Sequence, residues 1–112
     1  MKKIEAIIRQ ESLEPVKNAL SELGYPGMTI IDVKGHGKQK GVEQIWHGGT
    51  YKVEFLPKIK IEIVVIDSDV STIVSAIVRE ARTGNIGDGK IFIYPVEDAV
   101  RIRTGEYGNN AI

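Results

Sequence analysis

The residues best suited to chemistry in this chain of 112 amino acids lie in one glycine-rich segment, residues 83–92. Gly84, Gly89 and Lys90 satisfy the spacing G-x-x-x-x-G-K, in which glycines let backbone N–H groups approach a phosphate and the lysine neutralises its charge. The next residue is Ile91, where a P-loop enzyme needs Ser or Thr to hold Mg²⁺. A helical pattern precedes the segment and a strand pattern follows it, which is the reverse of a P-loop. We therefore interpret the segment as a phosphate cradle without hydrolytic machinery, with a tight turn between two elements as the alternative.

A second pair of candidate residues, Arg101 and Arg103, follows a few residues later. Alternate residues of an extended segment point the same way, so we expect both guanidinium groups on one face. Two parallel forks of N–H donors suit a polyphosphate.

The composition excludes several classes of function. Lys plus Arg and Asp plus Glu balance at 15 each, so we expect no overall field for nucleic acid or an anionic membrane. Cysteine is absent, which excludes disulfides, thiol catalysis and Cys-ligated zinc, and suits a reducing compartment. No apolar run approaches the roughly 18 residues of a membrane span, so we expect a cytoplasmic protein without direct membrane insertion.

The elements that must position these residues form the same unit twice. A strand at 2–9, a helix behind a possible Ser12 cap that stops at Gly24, and a strand at 28–34 make the first unit. The second unit has a strand at 58–66, a helix capped near Asp67 or Ser68, and a strand at 90–96. Two βαβ halves predict a single α+β domain over residues 1–112, with a ferredoxin-like antiparallel sheet and both helices on one side.

This architecture leaves the other face of the sheet uncovered. The strand around residues 91–94 is apolar on both faces, and Ile7 and Val64 are apolar opposite the main apolar row of their strands. Such a patch usually marks an interface, which a closed homo-oligomer would cover. Scattered surface apolar residues are the alternative.

A long connection separates the two halves at residues 35–57. Connections of this length are usually functional or disordered, and the glycines here favour mobility. Its middle could form a hairpin of residues 42–46 against 50–55.

Taken together, these blocks resemble the PII signal-transduction proteins, the trimeric sensors of nitrogen status. The family signature T-G-x-x-G-D-G-K-I-F is intact at residues 83–92, R-I-R-T-G-E stands at 101–106, and the blocks at 1–9, 27–29, 33–35, 55–58 and 60–65 are also similar. The resemblance therefore spans nearly the whole chain. It implies a homotrimer with ATP or ADP competing at three clefts between subunits, and a mobile arm, the T-loop, at about 36–56.

The resemblance also implies the roles of individual residues. Thr29 and the backbone near Val64 would hold adenine, and Glu62 would lie at the ribose edge. The phosphates would be bound by Gly35, Gly37, Lys38, Gly87, Asp88, Gly89, Lys90, Arg101 and Arg103. Lys38 stands where arginine is more usual, which keeps the charge but not the bidentate fork.

Effector binding is implied at the root of the arm. The 2-oxoglutarate residues would be Gln39, Lys40, Gly41 and Lys58. Gln39 would also join the Mg²⁺ bound to ATP, and Lys58 would pair with a keto-acid carboxylate. A divalent cation between two anions removes their repulsion, so we expect keto-acid binding to require ATP. Capture of Gln39 would restrain the first residues of the arm.

The tip of the arm departs from the family pattern. Tyr51, the residue uridylylated or adenylylated in some relatives, is present in an altered context, and Gly49 excludes the serine phosphorylation of cyanobacterial relatives. His47 replaces the basic residue that enters the ammonium channel in transporter-binding members. Expected partners are proteins of nitrogen metabolism, such as an ammonium transporter, glutamine synthetase or an arginine-pathway kinase.

Two other classes of function stay open on the residues alone. A small kinase or ATPase would need a preorganised base, yet His36 and His47 are the only histidines and both belong to the predicted arm. An RNA-binding module shares the fold class, but Phe92 and Tyr94 interleave with isoleucine and the chain is neutral.

Overall fold

The computed structural model describes residues 1–36 and 55–112. Four strands and two α-helices follow in the order β1 Lys2–Ile8, α1 Leu13–Glu22, β2 Thr29–His36, β3 Phe55–Val65, α2 Val70–Ala81 and β4 Gly89–Pro95. Short 3₁₀ turns span Gln10–Ser12, Asp67–Asp69 and Gly108–Ala111. The double βαβ order predicted from the sequence is confirmed.

The four strands form one antiparallel sheet in the spatial order β2-β3-β1-β4. The two central strands, β1 and β3, come from different halves of the chain. The strands of the two halves therefore interleave, and neither half could form this sheet alone. This arrangement is the predicted ferredoxin-like α+β fold.

The core lies between one face of the sheet and the two helices. Every second residue of β1 from Ile4 to Ile8 is buried, and every second residue of β3 from Ile59 to Val65, because alternate side chains of a strand share a face. The helices contribute Val16, Leu20, Ile73 and Ile77 from their apolar stripes. Within the described residues, no helix is long and apolar enough to cross a membrane.

The ends of the two helices agree with the sequence prediction at Gly24 but differ from it at the N-termini. Gly24 follows α1 with φ of 92°, the left-handed conformation that ends helices. Ser12 stands at the N-cap position of α1, but its side chain makes no capping hydrogen bond. The cap of α2 was predicted near Asp67 or Ser68; these residues belong to a 3₁₀ turn, and the N-cap position is the next residue, Asp69. The Asp69 carboxylate accepts a hydrogen bond from the Tyr25 hydroxyl instead of capping the helix.

No helix in the described part of the chain, residues 1–36 and 55–112, packs on the second face of the sheet. We call it the open face; it carries the residues that alternate with the core. Phe92 and Tyr94 of β4 are 41% and 42% exposed there, and Ile7 and Val64 are half-buried. In register across the sheet, Phe92 lies beside Glu5, and Tyr94 beside Lys3. The open face therefore combines apolar surface with charged side chains.

Candidate functional site

The glycine-rich segment forms the connection from α2 to β4, which we call the phosphate loop, residues 82–88. A helix leads into it and a strand leaves it, as the sequence predicted and in contrast to a P-loop. Gly89 begins β4 opposite Ile8 of β1 with φ of 111°, and a Cβ added there would lie 1.8 Å from the Ile7 carbonyl oxygen. This glycine is therefore required by the close approach of β4 to β1, whatever else the loop binds.

The side chain of Asp88 organises the phosphate loop from within. Its carboxylate accepts hydrogen bonds from the N–H groups of Thr83 at 2.8 Å and Gly84 at 2.9 Å, and from the Thr83 hydroxyl. The Thr83 hydroxyl, followed by the Thr83 N–H, holds the pKa of Asp88 at about 2, below its ordinary 3.8, because hydrogen bonds to the ionised form favour it. The carboxylate thus closes the loop, so we expect Asp88 to reach a bound anion through its backbone N–H.

Two cations support the loop from the sheet. The Arg9 guanidinium donates to the Ile86 carbonyl at 2.8 Å and lies 3.4 Å from the Asp88 carboxylate. The Lys58 ammonium donates to the Gly87 carbonyl at 2.8 Å. Lys58 was predicted to meet a keto acid, and the structure brings it against the phosphate loop.

Lys90 and Gly35 border the same end of the open face. Lys90 and Lys60 both lie opposite Ile7 in register, on either side of β1, and the Lys90 side chain is exposed. A Cβ at Gly35 would lie 2.9 Å from the Lys58 Cγ. Glycine at this position of β2 therefore leaves room for the aliphatic part of the Lys58 side chain. Three lysine side chains, Lys58, Lys60 and Lys90, therefore lie at this end of the open face, and Lys58 contacts the phosphate loop directly.

A second group of predicted residues lies towards the other end of the open face. Thr29, Glu62 and Val64 line one cleft of about 430 Å³, together with Lys3, Tyr25 and Ile112. Thr29 and Glu62 are direct cross-strand partners. The Glu62 carboxylate lies 3.6 Å from the Lys60 ammonium and 3.8 Å from that of Lys3.

One chain does not bring these two groups into one cleft. Glu62 lies four residues beyond Lys58 along β3, which is about 13 Å at the rise of a strand. The Lys58 contact with the phosphate loop and the Thr29 cleft are therefore separated along the sheet.

The expectation that Arg101 and Arg103 lie on one face of an extended segment is wrong, while their contact with phosphates stays a prediction. Both lie in a turn rather than an extended segment, because the Gly105 N–H donates to the Arg101 carbonyl at 2.7 Å and the turn is closed by a bridge between Val100 and Tyr107. The rule that alternate residues of a strand point the same way therefore does not apply to these two side chains. The Arg101 guanidinium lies 3.8 Å from the Glu106 carboxylate.

Several predicted residues lie outside the described part of the chain. These are the arm and its hairpin, Trp46, His47, Gly49 and Tyr51 near its tip, and the ligand residues Gly37, Lys38, Gln39, Lys40 and Gly41. The strands extend slightly into the predicted arm, because β2 includes His36 and β3 begins at Phe55. Among the described residues, no group of three or more acidic or histidine side chains could hold a metal ion.

Sequence reasoning gave no role to Arg9 and Thr83, although both contact Asp88. Thr83 belongs to the signature and could have been assigned as a partner of Asp88, since Ser and Thr hydroxyls commonly close turns. Arg9 carried a weaker signal: a charged residue placed directly after a buried strand.

Comparison with known proteins agrees with the resemblance seen in the sequence. The family model described as "Nitrogen regulatory protein P-II" matches residues 1–106. The chain is 56% identical over 112 residues to Nitrogen regulatory protein P-II 2 of Methanothermobacter thermautotrophicus, covering 100% of this chain and 97% of the relative. It is 54% identical to Nitrogen regulatory protein P-II of Rhodospirillum rubrum and 54% identical to Nitrogen regulatory protein P-II 1 of Escherichia coli K12, in both cases over the full length of both chains.

These matches cover the strands, both helices and the phosphate loop. They decide between the regulator and the enzyme that the residues alone left open, since relatives of this similarity are named as regulatory proteins. The chain therefore belongs to the P-II family of nitrogen regulatory proteins, whose role is signal transduction rather than catalysis.

Proposed function

We propose that this chain senses nitrogen status as a cytoplasmic homotrimer that binds ATP or ADP and, with Mg-ATP, 2-oxoglutarate. The observation that carries the proposal is the phosphate loop, which Asp88 closes and two cations hold against the sheet. The N–H groups of Gly87 and Asp88 make no hydrogen bond to any residue that the structure describes. Unpaired amides beside cations are the chemistry of a phosphate site.

The phosphate half of the site would combine these amides with side-chain charge. Lys90 supplies a cation on the adjoining strand, and Arg101 and Arg103 supply further guanidinium groups from the turn at 101–104. Gly89 contributes its backbone, and Gly35 leaves room beside Lys58. Gly37 and Lys38 would complete this half of the site.

The base and ribose would occupy the cleft of Thr29, Glu62 and Val64. Membership of the P-II family implies nucleotide clefts between subunits, and we propose that one subunit supplies the Thr29 cleft and its neighbour the phosphate loop. The apolar residues of the open face support such an assembly, since a closed oligomer would bury them. Three equivalent clefts then follow from a trimer.

The effector would bind at the root of the arm. Gln39, Lys40 and Gly41 would contact 2-oxoglutarate, with Lys58 facing a carboxylate. Mg²⁺ would supply positive charge between the triphosphate and the keto acid, with Gln39 as its protein ligand. Lys58 already donates to Gly87, and its ammonium has three donors, so it can serve both the loop and a carboxylate.

The output would be a change in the arm, read by partner proteins of nitrogen metabolism. An ammonium transporter, glutamine synthetase and an arginine-pathway kinase are the proposed partner classes, and Tyr51 is the proposed modification site. Affinity capture from cytoplasm and membranes, with ADP compared with Mg-ATP plus 2-oxoglutarate, would identify the partner. Capture of the same proteins in both nucleotide states would contradict a nucleotide-controlled arm.

Calorimetry of ATP binding tests the site. Lys90→Ala and Arg103→Ala should each weaken binding by roughly 1.5–3 kcal/mol, the value of a charged hydrogen-bonding partner. Arg79→Ala is the matched control, because Arg79 is exposed on α2 and pairs with the neighbouring Glu80. Wild-type affinity in both site variants would remove these residues from the nucleotide site.

A further inference from the structure

Arg9 and Lys58 donate hydrogen bonds to carbonyl groups of the phosphate loop. These two side chains can therefore orient the loop backbone as well as supply positive charge. Arg9 follows β1 and reaches Ile86, while Lys58 projects from β3 and reaches Gly87. The two carbonyls belong to consecutive peptide groups. Both are bound from the direction of the sheet.

Because the peptide group is planar, these contacts fix the directions in which the Gly87 and Asp88 N–H groups point. In a trans peptide, the C=O of one residue and the N–H of the next point in opposite directions, and the chain has no cis peptide among its described residues. The Ile86 carbonyl points at Arg9, so the Gly87 N–H points away from Arg9. By the same argument, the Asp88 N–H points away from Lys58.

The Arg9 contact is also fixed at a second point. Its Nε and Nη2 atoms both lie 3.4 Å from one Asp88 oxygen, while Nη2 also donates to Ile86. The side chains of Arg9 and Asp88 are 21% and 24% exposed, which reduces competition from water. A Cβ at Gly87 would lie 3.2 Å from Nη2, so the loop backbone lies directly on the guanidinium.

We propose that Arg9, together with Lys58, is a positioning residue that turns the Gly87 and Asp88 amides towards a bound phosphate. This inference rests on the proposed nucleotide site. In this role Arg9 acts on the ligand through the loop backbone and the Asp88 carboxylate. A lysine at position 9 could bind Asp88 or Ile86 but could not reproduce the rigid fork that contacts both.

Hydrogen exchange and ATP calorimetry on Arg9→Met and Arg9→Lys test the proposal. The Thr83 and Gly84 amides, which bond to Asp88, should exchange faster in Arg9→Met, while amides of the core strands keep their protection. ATP affinity should fall about 10-fold in Arg9→Met. Arg9→Lys should recover only part of this affinity, and Arg79→Met should match the wild type in both measurements.

The outcomes separate this inference from the proposed function. A wild type that binds no ATP would contradict the proposed function, while the exchange data would still report whether Arg9 holds the loop. Unchanged loop exchange in Arg9→Met would overturn the positioning role, as would full ATP affinity in Arg9→Lys, since charge alone would then suffice. If Arg9→Met does not fold, Arg9→Lys carries the test alone, because unchanged exchange of the Thr83 and Gly84 amides together with full ATP affinity in this variant would overturn the positioning role.

Discussion

At the scale of single residues, the polar groups of the proposed phosphate site bind each other in the protein alone. Asp88 is a member of the family signature, yet its carboxylate is occupied by Thr83, Gly84 and Arg9. Lys58 likewise has a partner, the Gly87 carbonyl. Preorganisation of this kind lowers the cost of ordering a loop when an anion binds.

The pKa of Asp88 predicts how stability depends on acid. Its folded-state pKa of about 2 lies below the ordinary 3.8, so its stabilising contribution is fully present above about pH 4 and is lost as the pH falls through about 2. We expect Asp88→Asn to lower the urea midpoint at pH 7, and this difference from the wild type to vanish near pH 2. Urea unfolding at a series of pH values measures it.

Asp32→Asn is the control for removal of a negative charge, because Asp32 is exposed on β2. A constant difference between wild type and Asp88→Asn from pH 7 to 2 would mean that ionisation of Asp88 does not stabilise the fold.

At the scale of elements, the strand that follows the loop depends on one glycine. Gly89→Ala should lower the free energy of unfolding by roughly 3 kcal/mol, because its Cβ would overlap the Ile7 carbonyl oxygen and its φ would be strained. Gly84→Ala is the matched control, since Gly84 also has positive φ but has nothing within 4 Å of the added Cβ. It should cost only about 1–2 kcal/mol of backbone strain. Denaturant unfolding compares the two variants, and equal losses would contradict the close approach of β4 to β1.

We propose that the predicted arm, residues 36–56, transmits the signal to partner proteins. Trp46, the only tryptophan, belongs to it, so its emission and anisotropy should change when 2-oxoglutarate is added to the Mg-ATP form. ADP should give a different signal and should not support keto-acid binding, because it lacks the γ-phosphate. Gln39→Ala is the control, in which the keto-acid response should be lost while ATP still binds.

Two results would contradict this route. One is a Trp46 signal indifferent to every ligand although calorimetry shows binding. The other is tight 2-oxoglutarate binding to the protein without nucleotide.

At the scale of the whole molecule, the exposed apolar residues of the open face predict that copies of the chain associate, and membership of the P-II family implies that the number of copies is three. Sedimentation equilibrium should give three times the 12.4 kDa of the chain. Phe92→Lys should weaken this assembly, because a charge would replace an aromatic ring in an apolar interface. The monomer should tolerate the change, since position 92 lies opposite Glu5.

Leu23→Lys is the matched control, because Leu23 is also 41% exposed but lies at the end of α1. A wild type that sediments as a monomer, or a Phe92→Lys protein as stably associated as the wild type, would contradict the trimer.

The sequence by itself determined the fold class, the strands and helices to within a few residues, the open face and the family. These follow from local periodicity and from contiguous motifs, such as the segment from Thr83 to Phe92, which can be read without knowing what packs against them. The prediction that Arg101 and Arg103 lie on one face was wrong because alternate side chains share a face only in an extended segment, and this segment is a turn.

Only the tertiary structure decided which side chains meet at the loop. Arg9 and Asp88 are 79 residues apart along the chain, and Lys58 and Gly87 are 29 apart. Their contacts depend on the register of β1 with β3 and β4, and a shift of one residue would turn each side chain to the opposite face of the sheet. Register is set by the packing of the whole core, so no local pattern around Arg9 could have revealed its partner.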